Sequence, residues 1–402
     1  MNETAWQELY QSSQKLTKAS HVKGLIDQKN LAEYHDLIKN ALHEFVTNRE
    51  LHTGLKIYLE KVLTNEYHQI LKEAPLPEND TIENWLEKTF KEQPFGMVLN
   101  FIETLSDEFA CKAVAEVQPL LELAGLPLGG LSFLGFIGNY GFTPFGIHKE
   151  SPGEEGFLFH LGPGIKKFYV WETEAYNQIP HNTQVFHDIE ERLSDAKCFI
   201  LEPGDAVFIP HHTYHIADTP EFSLSFTMDY INPPIDVVEK EILHRASEIA
   251  IDFTNGNYYQ PLSSEEKNWN ELLSMNSINN RLEEAMQDFI LCLKSNTGVK
   301  RPSLKNHKIQ MPNGNARFQA VNPFPLFLKK RGDKSIIFAR GHLIKTNSHP
   351  FLEKMIDAFN QEKVVTMDQL KTGFSPDWSM VDIYGVLSSL MHFNAVKLIE
   401  NN

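Results

Sequence analysis

The sequence predicts an α+β protein in which a barrel or sandwich of short strands lies between helical segments. Three observations define that class. From about Leu131 to Pro234, short runs rich in aromatic and β-branched residues follow one another, each bounded by Gly, Pro, Asn or Asp. Helical periodicity precedes and follows them. Neither a GxGxxG opening a helix nor a GxxxxGKS/T element occurs, which disfavours nucleotide folds built on βαβ units.

At 402 residues the chain has room for two to four domains and at least one sizeable core. Changes of texture divide it into a helical N-terminal region (1–122), a barrel (123–234), a helical bundle (235–298), and a basic segment leading to a helical C-terminal domain (299–402). A formal charge of −16 opposes polyanion binding over the whole surface, so nucleic acid is not the expected partner. Cys111, Cys198 and Cys292 form no CxxC spacing, which argues against a disulfide framework or thiolate zinc site. With no secretory pattern in "MNETAWQELYQSSQ", a reducing, cytoplasmic setting is expected. The uncharged run Leu123–Ile147 is long enough to span a bilayer, but its seven glycines and two prolines suit bends between buried strands instead.

Within the N-terminal region, "LHTGLKIYLEKVL" repeats Leu51, Leu55, Leu59 and Val62 at helix spacing, and "NDTIENWLEKTF" carries a capping-box signature with Asp80 as N-cap and Glu83 behind it. The strands expected next are "LSFLGFIGN", "FLFHL", "KKFYVWE", "CFILEPGDAVFIP" and "FSLSFTMDYI". Two amphipathic helices, "DVVEKEILHRASEIAIDF" and "SSEEKNWNELLSMNSINNRLEEAMQDFILCLKS", either cover the barrel or pair in a homodimer. Between Lys300 and Lys345 eleven basic residues face one acidic residue, Asp333. The tail reads helix, helix, helix, strand. With "KSIIFAR" and "HLIKT" upstream, that is the order of a winged helix.

Chemistry concentrates in two places. In "GFTPFGIHKESPGEEG", His148 and Glu150 lie two apart, so an extended backbone places both on one face and turns Lys149 away. A salt bridge or capped strand end is the plain explanation; a metal site is the other. In "LEPGDAVFIPHHTYH", a glycine turn, a strand and Pro210 precede His215, the Gly-x5-Pro-x4-His half of the cupin signature. Two imidazoles and one carboxylate on a triangle leave three positions open on six-coordinate iron, the facial arrangement of non-haem Fe(II) oxygenases. His211 and His212 are placed at the mouth or in solvent, His160 in the core, Glu154 and Glu155 in a solvated turn, and Asp205 as a turn-ordering residue.

On these residues the segment 131–234 resembles a JmjC or cupin-like Fe(II)/2-oxoglutarate oxygenase, and the order of barrel, helical bundle and winged helix resembles the ribosomal oxygenases. The resemblance implies a double-stranded β-helix (jelly roll), a metal triad of His148, Glu150 and His215, and 2-oxoglutarate as co-substrate. It implies that Lys166, two residues after Gly164, anchors the distal carboxylate while Lys167 points outward. Phe145 and Phe157 occupy positions often polar in that family, so Tyr140, Thr143, Ser225 and Thr227 are the candidates for the remaining hydrogen bonds. The implied activity is hydroxylation of a protein, peptide or amino-acid side chain. The alternatives are a cupin metal enzyme that does not use 2-oxoglutarate and a non-catalytic binding protein.

Overall fold

The protein is described by a computed structural model covering residues 2–399 apart from 48–53, 65, 74–75, 78–79, 92, 180–184, 250–274, 307–314, 362–363 and 372–377. Its strands are β1 (Ser20–Val22), β2 (Leu55–Leu59), β3 (Val62–Thr64), β4 (Phe95–Asn100), β5 (Gly130–Gly138), β6 (Gly141–Phe142), β7 (Glu154–Pro163), β8 (Lys166–Trp171), β9 (Lys197–Leu201), β10 (Ala206–Ile209), β11 (Tyr214–Thr219) and β12 (Ser223–Ile231). After these come β13 (Arg317–Ala320), β14 (Phe327–Arg331), β15 (Lys334–Ala339), β16 (His342–Asn347), β17 (Val365–Thr366) and β18 (Val396–Ile399).

Strands β5 to β12 build a double-stranded β-helix. The larger sheet runs β1-β10-β7-β12-β5-β4-β2-β3, the smaller β6-β11-β8-β9, and all their pairings are antiparallel. The glycine-rich, uncharged run noted in the sequence becomes β5, β6 and their turns, and among the described residues no helix is long and apolar enough to cross a membrane. Glycine is required at Gly138, where φ is +148° and a Cβ would stand 2.1 Å from the Phe95 carbonyl oxygen.

The N-terminal region does more than supply helices. β1 adds to one edge of the larger sheet, and β4, β2 and β3 extend the other. The helix expected over "LHTGLKIYLEKVL" is instead the hairpin β2–β3 (its first residues lie outside the described residues). Leu55 and Ile57 alternate into the core, and Glu60 and Lys61 take the positive φ of a tight hairpin turn. Leucines four apart are compatible with either period, and tertiary pairing with β4 decides for strand. At Ile82–Phe90 the N-cap is Thr81, which accepts from the Asn84 amide, while Asp80 accepts from the Thr81 amide and pairs with Lys88.

The main core lies between the outer face of the larger sheet and the helices Glu3–Ser12, Gln28–Thr47, Ile82–Phe90 and Asp107–Ala124, through residues such as Trp6, Tyr34, Phe109, Phe133, Phe159 and Phe226. These helices therefore brace the barrel from behind and leave its interior face free. Downstream, the helices Ile235–Glu248 and Met275–Ser295 pack on each other, and the second also meets β15. The tail shows the expected order: helices Phe351–Asn360, Met367–Lys371 and Met380–His392, then β18. β13 holds β17 and β18 in one small sheet. "KSIIFAR" and "HLIKT" do not complete it. They form a separate meander with β14, in which β15 pairs with both β14 and β16, because "FLKKR" lies adjacent in sequence and the three strands are joined by short turns.

Four cations of the basic stretch are paired internally among the described residues. Lys329 and Arg331 pair with Glu284 and Asp288, Lys330 with Glu353, and Arg340 with Asp107. Arg301 stacks on Phe101.

Candidate metal and co-substrate site

The triad forms where the chain crosses between the two sheets. His148 follows β6 and exchanges both backbone hydrogen bonds with His215, at 3.2 and 2.9 Å, as an isolated antiparallel bridge. This locks the first ligand beside β11, which Pro210 and the turn after it have brought back to the barrel mouth. Each imidazole donates from Nδ1 to a carbonyl two residues earlier: His148 to Gly146 (2.8 Å) and His215 to Thr213 (3.1 Å). Both Nε2 atoms are thereby left as acceptors. They face Glu150 Oε1 at 3.9 and 3.4 Å, and one ligand atom from each of the three residues lies within 4.8 Å of the others.

The electrostatics suit a cation. Burial, then the neighbouring His215, pulls His148 down to about 4, so its imidazole is neutral and free to ligate. Burial acts to raise Glu150, but contact with the His215 and then the His148 imidazole outweighs it, leaving the carboxyl below its ordinary range. Two imidazole nitrogens and a carboxylate within one small triangle fit a borderline divalent metal such as Fe(II). Phe145 and Phe168 hold the ligands in place, Phe145 edge-on to His148 (4.9 Å) and Phe168 stacked on His215 (5.6 Å).

A cavity of about 350 Å³ opens over the triad. Tyr140, Thr143, Thr227, Leu134, Phe136 and Leu158 line its inner part. Thr143 is also structural: its hydroxyl donates to the Ala217 carbonyl at 3.2 Å. Thr227 forms no hydrogen bond among the described residues. Ser225 is diverted to His160, donating to Nδ1 at 3.3 Å, while His160 Nε2 donates to the Gly164 carbonyl at 2.6 Å. Burial, with Lys166 nearby, pulls His160 down to about 4. It is a core residue, as its place inside β7 suggested.

Lys166 points into the barrel and is 1% exposed, while Lys167 on the opposite face meets Asp218 at 3.9 Å. The Lys166 amine donates to Thr219 Oγ1 (2.9 Å) and Tyr140 OH (3.4 Å), with no carboxylate in ion-pair range among the described residues. A buried cation without an anion is expensive, so a position built for one points to an anionic ligand.

Several expectations need correction. Glu154 and Glu155 begin β7 rather than forming a solvated turn, and Glu155 accepts from the His211 amide and ring, both at 2.8 Å. His211 is thus tied back rather than free at the mouth. Phe157 belongs to the outer core, packed against Trp6 and Phe208. Asp205 does order its turn, accepting from the Glu202 and Gly24 amides and pairing with His21.

Among the pocket residues that escaped the sequence reading are Asp229 on β12, and Lys56 and Tyr58 on β2. Burial, followed by Glu150 and other nearby carboxylates, pushes Asp229 well above the usual carboxylate range. Alternation inward along β12 from Thr227 would have found Asp229 once the register was known. Nothing local marks β2 as part of the site.

The chain thus combines a double-stranded β-helix with a His-Glu-His facial triad. Comparison with known proteins agrees on the fold. No family model matches the chain, and no curated protein sequence does. Among solved structures, YcfD from Escherichia coli aligns over 98% of both chains at 13% identity with a TM-score of 0.50. A YcfD structure described as a ribosomal oxygenase in complex with cobalt and 2-oxoglutarate aligns over 95% of both chains at 13% identity (TM-score 0.48). The non-haem alpha-ketoglutarate-dependent carbocyclase SnoK, from nogalamycin biosynthesis, aligns over 58% of this chain and 84% of its own at 13% identity (TM-score 0.36).

Proposed function

We propose that the protein is an Fe(II)/2-oxoglutarate-dependent hydroxylase acting on a protein, peptide or amino-acid side chain. The observation that carries this is the pairing, inside one barrel, of a His-Glu-His triad at the mouth with a buried lysine that has hydroxyl partners but no carboxylate in ion-pair range among the described residues. His148, Glu150 and His215 hold the metal through Nε2, a carboxylate oxygen and Nε2. Iron bound there supplies dioxygen activation, in which 2-oxoglutarate is oxidised to succinate and carbon dioxide while one oxygen atom enters a substrate C–H bond.

The chain's own residues do the rest. Carbonyls of Gly146 and Thr213 keep both rings in the ligating tautomer. Lys166, with the Thr219 and Tyr140 hydroxyls, receives the far carboxylate of the co-substrate and fixes its direction along the barrel. Thr143 and Thr227 flank its path. Phe136, Phe145, Leu158 and Phe168 keep water from the reacting region.

The partner in this reading is a polypeptide, the setting cytoplasmic, and the exposed apolar residues Ile235, Val237 and Leu243 of the helix Ile235–Glu248 are the surface for a homodimer. The C-terminal unit serves as a winged-helix protein-contact module. Nucleic acid is not the expected partner, since the formal charge is −16 and four cations of the basic stretch, Lys329, Lys330, Arg331 and Arg340, are paired internally.

The test is anaerobic addition of Fe(II) and 2-oxoglutarate to metal-stripped protein, recording the visible spectrum. A charge-transfer band that disappears in His215→Ala and Lys166→Ala supports the reading. Iron uptake without any band on adding the keto acid rejects 2-oxoglutarate as co-substrate.

A further inference from the structure

The cavity over the triad is walled on one side by the N-terminal region. Leu55 and Ile57 of β2 point into the core behind the sheet, so Lys56 and Tyr58 face the same cavity as His148, Glu150 and His215. An aromatic path joins them: the Phe145 ring lies 4.9 Å from that of His148 and 6.3 Å from that of Tyr58. The Lys56 side chain makes no ion pair or hydrogen bond among the described residues, while its backbone pairs with β4. Just beyond, β3 forms the free edge of the sheet, with Val62 and Leu63 67% and 54% exposed.

The dimensions of this wall limit what can use it. Asp229 of β12 lines the cavity together with Glu150, and β12, β5, β4 and β2 are consecutive neighbours, so at ~4.8 Å per strand the β2 backbone stands about 14 Å from that of β12. An extended polypeptide covers that span in about four residues. Its backbone and side chains would lie over Phe145 and Tyr58, aromatic surfaces that accept varied groups. An unpaired lysine at the outer end favours a carboxylate over an ammonium.

We propose that β2 is a substrate-reading wall: the residue oxidised belongs to an extended polypeptide segment, Tyr58 and Phe145 support the flank of that segment, and Lys56 selects an acidic residue about four positions from the oxidised one. This rests on the hydroxylase reading and adds the substrate class and its sequence preference. It also gives the N-terminal strands a role beyond bracing.

The experiment uses the full-length protein loaded with Fe(II) and 2-oxoglutarate. The probes are Gly/Ser host peptides of roughly eight residues, with each amino acid in turn at the centre and Glu, Gln or Lys about four positions to either side. Oxidation is read as the gain of one oxygen by mass. Wild type is expected to oxidise Glu-flanked peptides over Lys-flanked ones by roughly tenfold, and Lys56→Glu to invert that order. Tyr58→Ala is expected to raise KM for both sets alike. Inversion of a preference cannot come from misfolding, and Co(II) uptake at the triad checks the fold independently.

Oxidation indifferent to flank charge would overturn the proposal, as would an unchanged preference in Lys56→Glu. So would free amino acids turning over as well as the long peptides, or no peptide being oxidised while 2-oxoglutarate is still consumed without substrate. Wild type that consumes no 2-oxoglutarate under any condition instead refutes the hydroxylase reading, and this inference with it.

Discussion

Replacing Lys166 with methionine is expected to move stability and ligand binding in opposite directions. The lysine is 1% exposed and has two hydroxyl partners but no carboxylate. In the ligand-free protein its charge is therefore poorly compensated. Methionine keeps the apolar stem and removes the charge, at the cost of leaving the Thr219 hydroxyl without its donor. The net expectation is a ligand-free protein more stable by about 1–2 kcal/mol. Binding should suffer. A hydrogen bond to a charged group contributes about 1.5–3 kcal/mol, so the Kd for 2-oxoglutarate should rise roughly 10- to 150-fold.

Thermal unfolding of the Co(II)-loaded protein reads both effects. At a 2-oxoglutarate concentration about 100 times the wild-type Kd, wild type gains about 2.7 kcal/mol and Lys166→Met no more than about 1.4 kcal/mol. A variant that is less stable without 2-oxoglutarate, yet keeps the full ligand-induced gain, would refute the assignment. Lys166 would then be an ordinary structural residue whose charge the barrel satisfies by itself.

Other perturbations have defined outcomes. Burial pushes Glu103 up to about 7, against the amides of its own residue and Phe133 and the charge of Arg301. Its contribution is fully present below the ordinary carboxyl pKa and is lost as pH rises through about 7, a loss of about 3 kcal/mol. Urea unfolding across that range should show a shallower decline in Glu103→Gln; identical slopes would reject the shift. Stripping divalent metal should lower the unfolding temperature, and Co(II) at about 100 times its Kd should restore about 2.7 kcal/mol in wild type but not in His148→Ala or His215→Ala. Arg340 is 2% exposed and donates to Asp107, Asn394 and Asn296 while stacked on Phe324. Because Asp107 is 39% exposed, Arg340→Met should cost about 2–3 kcal/mol in urea unfolding rather than the full value of a broken buried pair. No loss would mean that the N-terminal helices and C-terminal unit are joined by packing alone.

Much of the site was legible because its geometry is local. Two residues apart on extended chain means one face, so His148 and Glu150 declared themselves a pair. A glycine turn, a strand and Pro210 carry His215 back within twelve residues. The resemblance supplied Lys166 as the inward residue and Lys167 as the outward one, which alternation along β8 sets on opposite faces, and aromatic, β-branched runs between glycines and prolines marked the barrel strands. The composition, with few cysteines and no nucleotide loop, narrowed the chemistry further.

Tertiary structure alone decided the rest. The leucine spacing across β2 and β3 satisfies a helix nearly as well as a hairpin, and only pairing with β4 makes it a strand. That pairing, some forty residues distant, is what brings Lys56 and Tyr58 to the cavity. Asp229 enters it through a register with β5 and β7 that depends on the whole sheet. "KSIIFAR" joins β14 and β16 rather than β13 because strand pairing is chosen among competing edges, and a sequence states which edges exist but not which one is nearest. Side-chain identity and local period travel with the chain, whereas neighbourhood across a sheet is a property of its closure.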